Sequence, residues 1–149
     1  MRSLLTDMNC VLLVAILFVS TTPASGDTPS KFDEIPAYFP WSDVTARLDN
    51  VAINFQREPS KIVLYLIAYA GRRSCVGYAD DLNLRAKRHL VRRGVASTRV
   101  ILIDGGYLEN PMLDVWMLPS HVYPPEAVPN IDRKLVRVRD CRKRSSVRR

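Results

Sequence analysis

Histidine is scarce in this sequence: only His89 and His121 occur in 149 residues. Neither has a cysteine or carboxylate at the spacing that tetrahedral metal sites use, so the chain offers no metal motif. No glycine-rich stretch ends in Lys-Ser or Lys-Thr. Gly105-Gly106 lacks that pair, which excludes a phosphate loop. No Gly-x-Ser-x-Gly turn organises a nucleophile. Together these absences argue for a noncatalytic protein with no cofactor and no bound metal. Aromatic residues make up 8% of the chain, and no stacking platform accompanies its basic residues, which argues against nucleic acid as a partner. No internal repeat and no long low-complexity tract is present.

What is plentiful is positive charge. The net charge is +7, and it is unevenly spread. Nine Lys or Arg crowd the segment from Arg133 to Arg149, and a second cluster runs from Arg72 to Arg99. Such clusters attract polyanions without choosing among them. A hydrophobic content of 47% and a charged content of 25% are ordinary for one globular domain.

The longest early apolar run, Val11 to Val19, is nine residues, about half of what a bilayer span needs. Arg2 precedes it, and small residues around Ala24 and Gly26 follow. This reads as a secretory signal over residues 1–26, followed by a flexible lead-in over 27–31. The alternative is an uncleaved anchor. On the first reading the mature chain has no transmembrane span and is exported to the periplasm or outer envelope, or beyond. In an oxidising compartment Cys75 and Cys141 are most simply one disulfide, closing 66 residues. Two unrelated thiols are the other reading.

Along the remaining chain, Lys31 to Ile35 is a weak strand. Ser42 is placed to cap a helix whose apolar positions Val44, Leu48, Val51, Ala52 and Phe55 recur at helical spacing up to Pro59. Ile62 to Ala70 is apolar without alternation, which predicts a central strand covered on both faces. A loop, Gly71 to Gly77, leads to a second helix with the core stripe Ala79, Leu82, Ala86 and Leu90 and a C-cap at Gly94. On that helix Asp81 is spaced to pair with Arg85, while Leu84 and Val91 lie opposite the stripe. His89, at the border of the stripe, reads as packed or solvated. Arg99 to Ile103 and Leu113 to Leu118 are further strands. Asp104-Gly105-Gly106 is expected to end the first of them, and the two to form a hairpin. Pro119, Pro124, Pro125 and Pro129 predict an extended exit, and residues 121–149 form that exit and the basic tail. The fold class is α+β: a two-layer α/β sandwich with helices on one face of a three- to four-stranded mixed sheet.

The order of elements from Phe32 to Leu118 resembles the OmpA C-terminal, peptidoglycan-associating domain, which sets the domain at residues 32–120. The local match is best over Leu90-Val91-Arg92-Arg93-Gly94-Val95-Ala96-Ser97-Thr98-Arg99-Val100, and Arg47-Leu48-Asp49-Asn50-Val51-Ala52 resembles the family's first helix. Gly71-Arg72-Arg73 and Ile103-Asp104-Gly105-Gly106-Tyr107 are similar to secreted OmpA-like proteins of acidobacterial type. The resemblance implies a cell-envelope binding or scaffolding module associating with peptidoglycan or an anionic envelope polymer. Family members grip diaminopimelate with an Asp after the central strand and an Arg on the second helix. Here the Asp place reads Ala70-Gly71 or Gly71-Arg72, without an acid. The Arg-Ala place falls on Leu82-Asn83, and Arg85-Ala86 follows three residues later, a turn of about 60° around the helix. The candidate ligand residues are therefore Arg72, Arg73, Arg85, Asp104 and Tyr107. The alternative is a secreted interaction protein that has lost peptidoglycan binding and meets a protein or polyanion through its tail and second helix.

Overall fold

The computed structural model describes residues 29–58, 61–136 and 140–141. The expected signal segment, Pro59 and most of the basic tail lie outside the described residues. The architecture is built around the apolar run at Ile62. It forms β2 (Ile62–Gly71), an interior strand of a four-stranded sheet. Its side chains divide by parity. Leu64, Leu66, Ala68 and Ala70 face two helices, whereas Tyr65, Ile67 and Tyr69 face the opposite side.

The remaining elements are β1 (Lys31–Pro36), α1 (Trp41–Arg57), α2 (Tyr78–Arg92), β3 (Val100–Leu108) and β4 (Met112–Pro119). The sheet order is β1-β4-β2-β3. β2 runs parallel to β3 and antiparallel to β4, which in turn is antiparallel to β1. Both helices bury their stripes on one face, α1 through Val44, Leu48, Val51, Ala52 and Phe55, and α2 through Ala79, Leu82, Ala86 and Leu90. The α+β class and the helices' place on one face are as the sequence predicts.

Four local expectations need correction. First, β3 and β4 are not a hairpin, because β2 lies between them. The parallel β2–β3 pairing needs the α2 crossover, and β4 then enters the sheet on the other side of β2. Second, Asp104-Gly105-Gly106 does not end β3. The pairing passes from Ala68 opposite Asp104 to Ala70 opposite Tyr107, so two β3 residues face Tyr69 alone. This is a bulge with Gly106 at φ +82°. The Asp104 carboxylate accepts from the Gly106 N–H at 2.9 Å. A Cβ at Gly105 would lie 2.5 Å from the Tyr69 ring, so a side chain there has no room. Third, α1 begins one residue before Ser42. Its N-cap is Pro40, with no side-chain cap, and the Ser42 hydroxyl instead meets the Asp43 carboxylate at 3.1 Å. Fourth, Arg85 does not pair with Asp81. Its guanidinium lies 4.0 Å from the centroid of the Trp41 ring, at the start of α1.

The end of α2 does follow the sequence. Gly94 sits at φ +92°, with its N–H on the Val91 carbonyl at 3.0 Å and the Val95 N–H on the Leu90 carbonyl at 3.1 Å. This is the Schellman pattern, and Val95 and Leu90 are both buried in the helix-side core. His89 Nε2 lies 2.5 Å from Asp49 of α1. Arg93 grips the same carboxylate through its Nε at 2.6 Å and through a second nitrogen. Arg93 and His89 hold the Asp49 carboxyl down at about 2.

The far face of β2 is covered by the proline-containing exit. Val122 and Ala127 pack against Tyr65, Ile67, Tyr69, Trp116 and Leu118. The exit has no ladder of its own and is fastened at both ends. The Tyr65 hydroxyl donates to the Val122 carbonyl at 3.3 Å, and the N–H groups of Asn130 and Ile131 reach the Tyr107 carbonyl at 3.2 and 3.3 Å. A proline-rich segment suits this role, because it carries few donors that would be lost on burial.

Candidate functional site

Three connections converge at one end of the sheet: residues 37–40 after β1, Arg72–Gly77 after β2, and Glu109–Pro111 after β3. Backbone hydrogen bonds lock them together. The Ala37 N–H meets the Pro111 carbonyl at 3.0 Å, and the Arg72 N–H meets the Glu109 carbonyl at 3.3 Å. The β2 loop closes on itself, with Ser74 Oγ accepting from the Gly71 N–H at 2.8 Å. Gly71 has no room for a side chain, because a Cβ there would come within 2.7 Å of the Pro111 ring. The Tyr78 hydroxyl donates to the Ala37 carbonyl at 2.9 Å, joining the start of α2 to the β1 connection. Burial raises the Tyr78 phenol, against the lowering pull of Arg85.

Cys75 and Cys141 form a disulfide, with Cα atoms 5.6 Å apart. The bond brings the end of the described chain onto the β2 loop. Around it open three clefts that are each lined in part by Cys75 and Tyr78, and a smaller one of about 320 Å³ between Arg72, Arg73, Glu109 and Leu135.

The five candidate ligand residues are distributed among these clefts. Arg72 and Arg73 line one of about 600 Å³ together with Glu109, and Arg72 pairs loosely with that carboxylate at 3.5 Å. Arg85 lines a second, of about 690 Å³, with Leu82, Asp81, Arg88 and Asp140. Leu82 and Arg85, three residues apart on α2, line the same cleft. Asp104 and Tyr107 line a third, of about 520 Å³, with Asp132 and Arg133. The arginine pair is thus brought together, as is the β3 pair, while Arg85 stands apart from both across Tyr78.

The charge of the rim is mixed. Arg72, Arg73, Arg85, Arg88 and Arg133 line the clefts, but so do Asp80, Asp81, Asp104, Glu109, Asp132 and Asp140. This alternation suits a ligand carrying both signs better than a simple polyanion. Sequence reading missed Tyr78 and Glu109. Gly77 just before α2 was the only local signal for the first, and Glu109 becomes a partner of Arg72 because β2 and β3 run parallel with Gly71 opposite Leu108. Among the described residues, no group of three or more His, Cys, Asp or Glu could hold a metal ion, and no helix is long and apolar enough to cross a membrane.

No family model matches the chain. No curated protein matches it in sequence. Among solved structures it is similar to the periplasmic domain of Helicobacter pylori MotB (residues 78–256), with a TM-score of 0.50 and 11% identity over 58% of this chain and 74% of that one. A second structure of that domain (residues 97–256) gives a TM-score of 0.48 and 11% identity over 62% and 86%. At such identity the likeness is one of fold: the chain has the OmpA-C-like α/β sandwich of the MotB periplasmic domain.

Proposed function

We propose that this chain is a noncatalytic cell-envelope binding module that takes a component of peptidoglycan at the rim beyond β2. The observation that carries this reading is the convergence of three loops on Arg72 and Arg73, in a cleft that also presents Glu109. A guanidinium can fork onto a carboxylate, and a neighbouring acid receives an ammonium, so such a rim fits a zwitterionic stem-peptide residue. The resemblance to OmpA C-terminal domains, and to the secreted acidobacterial type in particular, points the same way. So does the disulfide, which belongs to an exported protein. Arg85 supplies a further guanidinium in a neighbouring cleft that Asp81 also lines.

The test is cosedimentation of the full chain with purified peptidoglycan at low salt. The chain is expected in the pellet, and Arg72→Ala with Arg73→Ala is expected to reduce it about tenfold or more, the loss of charge-assisted hydrogen bonds. Absence of the wild-type chain from the pellet ends the wall-binding reading. A second reading, docking to a protein through α2, draws on Leu84 and Val91, which remain exposed on its outer side.

A further inference from the structure

The outer side of α2 is used by neither the fold nor the rim. Leu84, Arg88 and Val91 follow one another at four and three residues, so they share one side of the helix. Arg92, four residues beyond Arg88, continues it. All four side chains are exposed, Leu84 by 50% and Val91 by 40%. Leu84, Val91 and Arg92 line none of the rim clefts.

The charge around them has one sign. From Leu82 to Ile103 the sequence holds six Arg or Lys and no acid. Arg85 lies on the Trp41 ring, Lys87 donates to the Val100 carbonyl at 2.9 Å, and Arg93 holds Asp49. Arg88 and Arg92 make no ion pair among the described residues. The acids in the neighbourhood are Asp49, taken by His89 and Arg93, Asp81, one turn before Arg85, and Asp140, in the cleft that Arg85 and Arg88 line. The disulfide adds further cations. It holds Cys141 on Cys75, in that same cleft. The residues that follow Cys141 in the sequence begin with Arg142, Lys143 and Arg144. The root of the basic tail is thereby fastened beside α2.

We infer that this side of α2 is a docking surface for an anionic phospholipid bilayer. Arg88, Arg92 and the tail meet the headgroup phosphates, and Leu84 and Val91 enter the boundary with the acyl chains. A protein partner needs about 800 Å² on each side with an apolar centre, and two half-exposed aliphatic side chains do not supply one. A soluble polyanion has no place for Leu84 and Val91. A lipid surface uses both kinds of residue at once, because shallow apolar contact suffices where anionic headgroups add their attraction. The inference goes beyond wall binding and does not rest on it, since that reading is carried by Arg72 and Arg73.

The test is sedimentation of the full chain with phosphatidylcholine vesicles and with vesicles of equal parts phosphatidylcholine and phosphatidylglycerol. The neutral vesicles set the baseline, which includes whatever the apolar run Val11 to Val19 contributes. Binding to the anionic vesicles should be stronger by about a hundredfold or more, at about fivefold for each cation near the surface. It should fall with added salt. Arg88→Gln with Arg92→Gln should weaken it about tenfold or more. Leu84→Ala with Val91→Ala should weaken it about tenfold, through the loss of inserted methyl and methylene groups. No preference for the anionic vesicles, or no effect of the arginine pair, overturns the inference. A preference that survives Leu84→Ala with Val91→Ala undiminished assigns the face to soluble polyanions and overturns it as well.

Discussion

Loss of the Cys75–Cys141 bond should be the largest single perturbation to this fold. The two residues are 66 positions apart, and in the chain-entropy model a crosslink over that loop stabilises the native state by about 4 kcal/mol. The bond also pins the far end of the chain that covers Tyr65, Ile67 and Tyr69. Urea unfolding of the oxidised chain should therefore be compared with that of the Cys75→Ser, Cys141→Ser variant. With a slope of about 2 kcal/mol per molar urea, the midpoint should fall by about 2 M. Thiol alkylation of the unreduced, unfolded protein should leave both Cys75 and Cys141 unlabelled. An unchanged midpoint, or labelling of Cys75 and Cys141, would refute the reasoning.

Two further predictions concern charge. Lys31→Met strips Asp114 of its counter-ion and should destabilise the chain by about 2–3 kcal/mol at pH 7, below the range for a fully buried pair because Lys31 keeps some solvent contact. Burial already raises the Asp114 carboxyl, outweighing the pull of Lys31. The charged form is therefore the costly one, and the deficit should shrink as pH falls toward the unfolded carboxyl value, measured by urea unfolding at pH 7 and pH 5. Asp49 behaves in the opposite sense. Its carboxyl is held at about 2, first by Arg93 and then by His89. Its contribution should be complete above the unfolded value of 3.8 and vanish as pH falls through about 2. Asp49→Asn should cost about 1 kcal/mol at neutral pH, given the solvent around Arg93, and the difference from wild type should close at pH 2.

The parts of the fold legible in the sequence were those governed by local periodicity. The stripes of α1 and α2, the Gly94 cap and the two-sided burial of β2 each follow from neighbours within a few residues. The sheet order was not legible that way. Leu113 to Leu118 follows Arg99 to Ile103 closely enough to suggest a hairpin, and nothing local says that β4 crosses to the other side of β2. Asp104-Gly105-Gly106 carries the same residues as a strand-ending turn. Only the Tyr69 ring opposite makes it a bulge inside β3. The need for cover on the far face of β2 was readable from its unalternating run, but its source in the proline-containing exit was not. At the rim, Arg72 and Arg73 were legible as a pair after a strand. Arg85 was misread through its spacing to Asp81, because Trp41, its actual partner, comes from another helix. Asp114 was absorbed into an apolar strand, and its ion pair with Lys31 becomes visible only once β1 lies beside β4.

The central claim is that the loops beyond β2 face the wall component. Its most direct measurement is the change in backbone amide resonances of the labelled full chain on adding soluble peptidoglycan fragments. Shifts concentrated at Arg72 to Tyr78 and Glu109 to Asn110 are predicted, and they should be lost with Arg72→Ala and Arg73→Ala. Shifts confined to the Leu84 and Val91 side of α2, or none at all, would contradict it.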